Sequence, residues 1–192
     1  MKGIILASAS PRRLEIFRLC GIEPRVVKSN IEETIEFGEK PEQIAMSLSF
    51  KKALDVAERI DTGLVIGADT IVVIGNTILG KPESELHARQ MLEMLSGKSH
   101  RVITGFAIID PENKIKVIDY ETSDVIFNKL SQSEIDSYIK SREYLDKAGS
   151  YAIQGKGALL VSKIEGCYFN IVGLPISKIN YNLKLYFNHN LL

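Results

Sequence analysis

Ile4-Ile5-Leu6-Ala7-Ser8-Ala9-Ser10-Pro11-Arg12-Arg13 sets a short apolar run against a link of small polar residues that ends in a proline and two arginines. The run from Ile4 to Ala7 reads as a buried strand, and Ser10-Pro11 supplies an N-cap and a first-turn proline. A helix is predicted from Pro11 to Cys20, stopped at Gly21. Strand, link and helix in that order are the opening of an α/β protein.

The pattern continues outward from there. A second strand fits Arg25 to Lys28, and Pro41 begins a longer amphipathic helix that turns Ile44, Leu48, Ala53 and Val56 toward the core. Leu64 to Ala68 reads as another buried strand, with Ile71 to Ile74 continuing extended before Gly75-Asn76 turns the chain. Pro82 is expected to begin a helix through Met91 and Leu95 that Gly97 ends. Val102 to Ile109 and Lys114 to Phe127 flank Asp110-Pro111-Glu112-Asn113 and read as an antiparallel hairpin. A helix from Ser133 to Lys140, a strand near Leu159 to Val161 and a last helix after Pro175 complete the chain. The fold class is α/β with a mixed sheet, and no repeat or linker interrupts it.

Composition limits the function. The 192 residues suit one large domain or one domain with two lobes. Lys plus Arg (24) balances Asp plus Glu (24), so no basic field exists to hold nucleic acid or an anionic membrane. A small-molecule partner is expected, with no nucleic acid and no membrane. Cys20 and Cys167 form no C-x-x-C pair and suit buried thiols in a reducing, cytoplasmic setting. The N-terminal apolar run is too short for a signal peptide.

Three familiar motifs fail on spacing. Gly97-Lys98-Ser99 lacks the earlier glycine of a phosphate-binding loop, since Leu92 stands there, and Gly155-Lys156-Gly157 has Leu160 where a dinucleotide fingerprint needs glycine. His87, His100 and His189 stand apart with no metal-ligand spacing, and read as solvated or singly hydrogen-bonded histidines.

Four segments could carry chemistry. Ser8-Ala9-Ser10-Pro11-Arg12-Arg13 combines small residues, a helix N-terminus and two guanidinium groups, which is what a phosphate cradle requires. An ordinary strand-to-helix link with two solvated arginines fits the same text. Arginines favour a helix's last turn, so a pair in its first turn favours the anion. Gly67-Ala68-Asp69-Thr70 places an aspartate at the carboxyl end of a buried strand, where it can hold Mg²⁺, accept a proton from water, or simply cap a turn. Leu79-Gly80-Lys81-Pro82 presents a lysine before a predicted helix, and Lys52 is a second cation, although Lys51-Lys52 also reads as a solvated helix face. Asp146 to Gly155 mixes small residues, polar anchors and Tyr151, as expected where a flat ring is met, and a plain loop is equally compatible.

Taken in order, LASASPRR (Leu6 to Arg13), Lys52-Ala53, GADT (Gly67 to Thr70), LGKP (Leu79 to Pro82), Ser96-Gly97-Lys98 with His100, Thr104-Gly105, Asp146 to Gly155 and NIVGLP (Asn170 to Pro175) resemble the Maf family of nucleotide pyrophosphatases. The matches span about residues 4 to 178. The resemblance implies a two-lobed α/β domain of residues 1–192 with an elongated mixed sheet flanked by helices, an active-site cleft between the lobes, and a homodimer. It implies metal-dependent cleavage of a nucleoside triphosphate between the α and β phosphates, with Mg²⁺ or Mn²⁺. By position, Asp69 is the expected catalytic carboxylate, and Ser8, Arg12, Arg13, Lys52 and Lys81 are expected at the phosphates. Glu33 with Asp69 is expected near the metal. The AGSYAIQG segment is similar to the branch acting on dTTP and UTP, in which Arg12, Thr70 and Gln154 bear on base choice; Ser150 and Ala152 depart from the Ala and Gly expected there. A 7-methyl-GTP branch and a nucleotide-binding regulator of cell division are the alternatives.

Overall fold

The structure, a computed structural model, describes residues 2–32 and 39–192. The chain runs β1 (Ile4–Leu6), α1 (Pro11–Leu19), β2 (Arg25–Val26), α2 (Pro41–Ala57), β3 (Leu64–Ile74), β4 (Thr77–Leu79), α3 (Glu85–Leu95), β5 (Ser99–Asp110), β6 (Ile115–Phe127), α4 (Gln132–Ser141), two 3-10 turns (Ala148–Ser150 and Gly155–Leu160), β7 (Val161–Glu165), α5 (Tyr168–Val172) and α6 (Ile176–Phe187). Six strands follow the order β2-β1-β3-β5-β6-β7, and β4 pairs with β3 off that path. β1 pairs in parallel with β2 and with β3, whereas β4 lies antiparallel on β3 and β7 antiparallel on β6. The link from β5 to β6 is too short for a crossover, so that pair is antiparallel as well. The expected mixed sheet is therefore present.

The chain divides into two compact units, the first Met1–Asp69, Thr104–Glu121 and Gly173–Leu192, the second Thr70–Ile103 and Thr122–Val172. In the first, α2 lays Ala53, Val56 and Ala57 on Ile5, Ala7, Val65, Ala107 and Ile109 of the sheet. The buried Val and Ile side chains at this contact each contribute about 1.5 to 3 kcal/mol through lost water contact, and the alanine methyls about 0.8 kcal/mol. Lys2 bridges Asp110 at 2.7 Å and Glu112 at 2.8 Å, joining the chain just before β1 to the β5–β6 turn.

In the second unit α3 packs on α4, with Arg89 paired to Asp136. Ala88, Met91, Leu92 and Leu95 of α3, and Ile135 and Ile139 of α4, are buried. The 3-10 turn Ala148–Ser150 also lies on α3, where the Ser150 hydroxyl, fully buried, donates to Met91 Sδ at 2.9 Å.

Several predicted boundaries move, each for a local reason. β3 runs unbroken through Gly67-Ala68-Asp69-Thr70, so Asp69 sits within a strand and not in a turn. Gly67 is there for close approach, since a Cβ on it would stand 2.5 Å from the Ser49 carbonyl oxygen and 2.8 Å from the Ala53 nitrogen of α2. α3 begins at Glu85 and not at Pro82, because Ser84 takes the cap with its hydroxyl accepting from His87 N at 3.1 Å. α4 begins at Gln132 because Ser131 and Glu134 form a reciprocal capping box. At α1, Ser10 holds the N-cap position without a side-chain bond of its own. The strand expected at Leu159 to Val161 is displaced by the turn Gly155–Leu160 and begins at Val161. Cys20 is exposed and Cys167 partly so, against the expected buried thiols; Cys20 caps α1 at its solvent end. Among the described residues, no helix is long and apolar enough to cross a membrane.

Candidate active site

The first unit builds its site where β1 ends beside β3. The last β1–β3 pair is Leu6 with Ile66, and Ala7 N donates to the Ile66 carbonyl at 2.8 Å. Continuing that register brings Ser8 level with Ala68, one residue before Asp69. Ser8 is buried, and its hydroxyl oxygen accepts from Ser10 N at 3.1 Å and from Arg13 Nη1 at 3.1 Å. A serine hydroxyl has two acceptor positions and one proton. With both acceptor positions in use, its remaining capacity is to donate, which suits a phosphate oxygen. Arg13 is half-buried and fixed a second time, donating from Nε to the Gly173 carbonyl at 2.7 Å. Two of the expected phosphate ligands are thus assembled with an orienting carbonyl from the NIVGLP segment. Arg12 lies beside them in the first turn of α1 and is also half-buried.

Asp69 and Lys52 form a buried ion pair in the same unit. Lys52 Nζ donates to Asp69 Oδ1 at 2.5 Å, and each side chain is only 11 % exposed. The solvated helix face expected for Lys51-Lys52 holds for Lys51 alone. Lys52 lies four residues after Leu48 on the buried side of α2, and the narrow approach at Gly67 brings that side onto the strand. A buried ammonium and carboxylate at contact distance compensate each other's lost hydration. Thr70 follows Asp69 in the same strand, so its side chain points to the opposite sheet face.

The second unit carries Lys81 and Gln154. Lys81 is exposed in the link between β4 and α3, where the Gly80 carbonyl accepts from Gly149 N at 3.0 Å. That bond ties the lysine's loop to the Asp146 to Gly155 segment. Gln154 is half-buried and extended, directly before the turn Gly155–Leu160. Close by, His100 is 2 % exposed, shares a 2.7 Å hydrogen bond between Nε2 and the Tyr151 hydroxyl, and packs edge-on to Phe127 and Tyr151. Burial pushes the His100 pKa down to about 4 and the Tyr151 hydroxyl well above its ordinary range. The single hydrogen bond expected of the histidines is found at His100. Its near-complete burial was not legible in the sequence.

Glu33 lies outside the described residues, and among those described no three His, Cys, Asp or Glu side chains gather as a metal-binding group. Sequence reasoning missed the Gly173 carbonyl that orients Arg13, the Tyr138 hydroxyl that accepts from Ala152 N at 3.2 Å, and the Glu143 carboxylate that accepts from Lys156 N at 2.9 Å, the last two being contacts to the backbone on either side of Gln154. The NIVGLP text was the available signal for the first, and nothing in the local sequence marked the other two.

A strand-to-helix link that carries Ser8 and Arg13 thus lies beside a buried carboxylate and ammonium in one α/β unit. The chain belongs to the family described as Maf-like protein, which it matches over residues 3–185. A dTTP/UTP pyrophosphatase of Alkaliphilus oremlandii (strain OhILAs) is 53 % identical over 193 residues, covering all of both chains. A dTTP/UTP pyrophosphatase of Clostridioides difficile (strain 630) is 52 % identical over 189 residues, covering 98 % of this chain and 97 % of its own. The Staphylococcus aureus Ham1 protein shares 14 % identity at a TM-score of 0.46, over 67 % of this chain and 73 % of that one, too distant to bear on the site.

Proposed function

We propose that this chain hydrolyses dTTP and UTP to the monophosphate and pyrophosphate. The observation that carries the reading is the Ser8–Arg13 cradle, one residue in register from the buried Asp69–Lys52 pair. Family membership and the two full-length relatives supply the reaction class and the substrates.

Cleaving a phosphoanhydride requires neutralised phosphate charge and a water aimed in line, so the protein's contribution is mainly positioning and electrostatics. Ser8, Arg12 and Arg13 would hold phosphate oxygens, with Lys81 a further cation. Lys52 orients Asp69 before substrate arrives. An incoming polyphosphate competes for that ammonium, which releases Asp69 to accept the proton of the attacking water. Gln154 would read the base, its amide presenting a donor and an acceptor to the O4 and N3–H edge of uracil or thymine.

A divalent cation, Mg²⁺ or Mn²⁺, fits this donor set in part. Such ions take one or two carboxylates and complete their shell with water and phosphate oxygens, so a single Asp69 is compatible. When bound it supplies charge neutralisation across the phosphates. Glu33 is the expected second carboxylate. The proposal includes a homodimer, supported by Tyr181 and Leu185, which lie four residues apart on α6 and are 63 % and 57 % exposed. It also includes a cytoplasmic location, a compartment supplied with nucleoside triphosphates.

The test is a product analysis of the purified protein with UTP, dTTP, CTP and 7-methyl-GTP, each with Mg²⁺ and with Mn²⁺. UMP or dTMP with pyrophosphate is expected. UDP with orthophosphate overturns the cleavage site, preference for 7-methyl-GTP overturns the substrate, and no turnover leaves a nucleotide-binding regulator.

A further inference from the structure

Gln154 can read a pyrimidine edge only if the backbone that carries it stands at a fixed distance from the base, because hydrogen bonds weaken steeply with distance and angle. The backbone that carries it is held on both sides by the end of α4 and the residues just after it. Before Gln154, Ala152 N donates to the Tyr138 hydroxyl oxygen at 3.2 Å. After it, Lys156 N donates to Glu143 Oε2 at 2.9 Å. Tyr138 lies in the last turn of α4, and Glu143 follows the left-handed cap at Arg142. These two anchors are themselves tied, since the Ser141 hydroxyl donates to the Tyr138 carbonyl at 2.6 Å and accepts from Glu143 N at 3.3 Å.

The segment leaves no slack. A Cβ on Gly157 would collide with the Ala152 carbonyl oxygen, so the chain on either side of Gln154 folds tightly back on itself. Tyr151 is 5 % exposed and fixed by its bond to His100 and its edge contact with Phe127. Ser150, at φ 62, takes a left-handed conformation that a side chain accepts only where its surroundings impose it.

We propose that Glu143 and Tyr138 are positioning residues for pyrimidine recognition, clamping the backbone on either side of Gln154 so that its side chain starts from one fixed place toward the base. This rests on the assignment of Gln154 as the base reader. Neither residue touches the nucleotide in this account. They act through the Ala152 and Lys156 amides.

The experiment measures kcat and KM for UTP and CTP, with melting temperature, for the full chain and for Glu143→Ala, Glu143→Gln, Tyr138→Phe and Gln154→Glu. Glu143→Ala and Tyr138→Phe should each narrow the UTP-to-CTP ratio of kcat/KM by about tenfold, the scale of one lost hydrogen bond, and chiefly through KM for UTP. Glu143→Gln keeps an acceptor oxygen and should restore most of the ratio. If Gln154→Glu collapses the ratio while Glu143→Ala and Tyr138→Phe leave it alone, the clamp is wrong and the base reader stands. If Gln154→Glu also leaves it alone, both fall together. Loss of UTP and CTP turnover in equal proportion, accompanied by lower melting temperature, assigns the two residues a purely structural role and overturns the proposal. Should Glu143→Ala fail to fold, Tyr138→Phe, which keeps the ring, carries the same test.

Discussion

The Lys52 ammonium stands 2.5 Å from the Asp69 carboxylate, and helix α2 and strand β3 bury both side chains to the same degree. Loss of the ammonium leaves the buried Asp69 carboxylate without this partner. Asp69→Asn removes the charge and basicity, so turnover should fall at least about a hundredfold, the lower end for loss of a general base. Lys52→Met strands a buried carboxylate and should cost about 3 to 5 kcal/mol of stability, read by denaturant titration. The double variant Lys52→Met with Asp69→Leu replaces the pair by apolar groups, and should recover stability but no turnover. Near-normal turnover in folded Asp69→Asn removes Asp69 from the chemistry.

The Ser8–Arg13 contact makes a second separation possible. Arg13 also holds the Gly173 carbonyl, so Arg13→Ala should cost about 1 kcal/mol of stability for lost hydrogen bonds. Ser8→Ala deletes the same Arg13 bond, the Ser10 N bond and the hydroxyl proton offered to phosphate, so it should cost a similar amount of stability, about 1 kcal/mol, and in addition weaken UTP binding about tenfold. Calorimetric titration with a non-hydrolysable UTP analogue checks this. Unchanged affinity in Ser8→Ala would show that the cradle only stabilises the start of α1.

His100 gives the protein a predictable acid limb. Burial lowers its pKa from 6.5 to about 4, so the folded chain holds it neutral where the unfolded chain binds a proton. The stability this gives is fully present above pH 6.5 and is lost as pH falls toward 4, by about 3 kcal/mol in total, after which the dependence levels off. Carboxylates titrate in the same range, so the measurement is the difference between the parent and His100→Phe in urea titrations from pH 4 to 8. Parallel curves across that range contradict a buried neutral histidine.

Much of the fold was legible because periodicity and caps agree locally. The Pro41 helix and its core face, the β5–β6 hairpin and the final helix after Pro175 all follow from patterning, and all are found. The errors share a cause. Gly67-Ala68-Asp69-Thr70 reads as the carboxyl end of a buried strand, yet β3 runs on through it and its glycine serves a packing contact with a helix that begins 26 residues earlier. Likewise Lys52 looks solvated until its partner across the α2–β3 contact is known. Ser8, Arg13, Lys52 and Asp69 were named from the sequence and are brought together in one unit, whereas Tyr138 and Glu143 act through backbone amides and leave no motif.

Gly67 is where that lesson becomes testable. Alanine there would place a Cβ 2.5 Å from Ser49 O, 2.8 Å from Ala53 N and 2.9 Å from Ala53 Cβ. Two of those three are backbone atoms of a 17-residue helix, which cannot rotate aside as a flexible side chain would. The helix must therefore shift, and Lys52, which lies between Ser49 and Ala53, shifts with it off Asp69. Gly67→Ala should cost about 1 to 3 kcal/mol of stability, the range for overpacking, and should also lower turnover in the fraction that remains folded. Adding Ala53→Gly removes only the Cβ contact, so it should restore little. Full recovery in that double variant would show that the conflict is between side chains alone, and parent-like stability in Gly67→Ala itself would remove the close approach as the feature that sets Lys52 on Asp69.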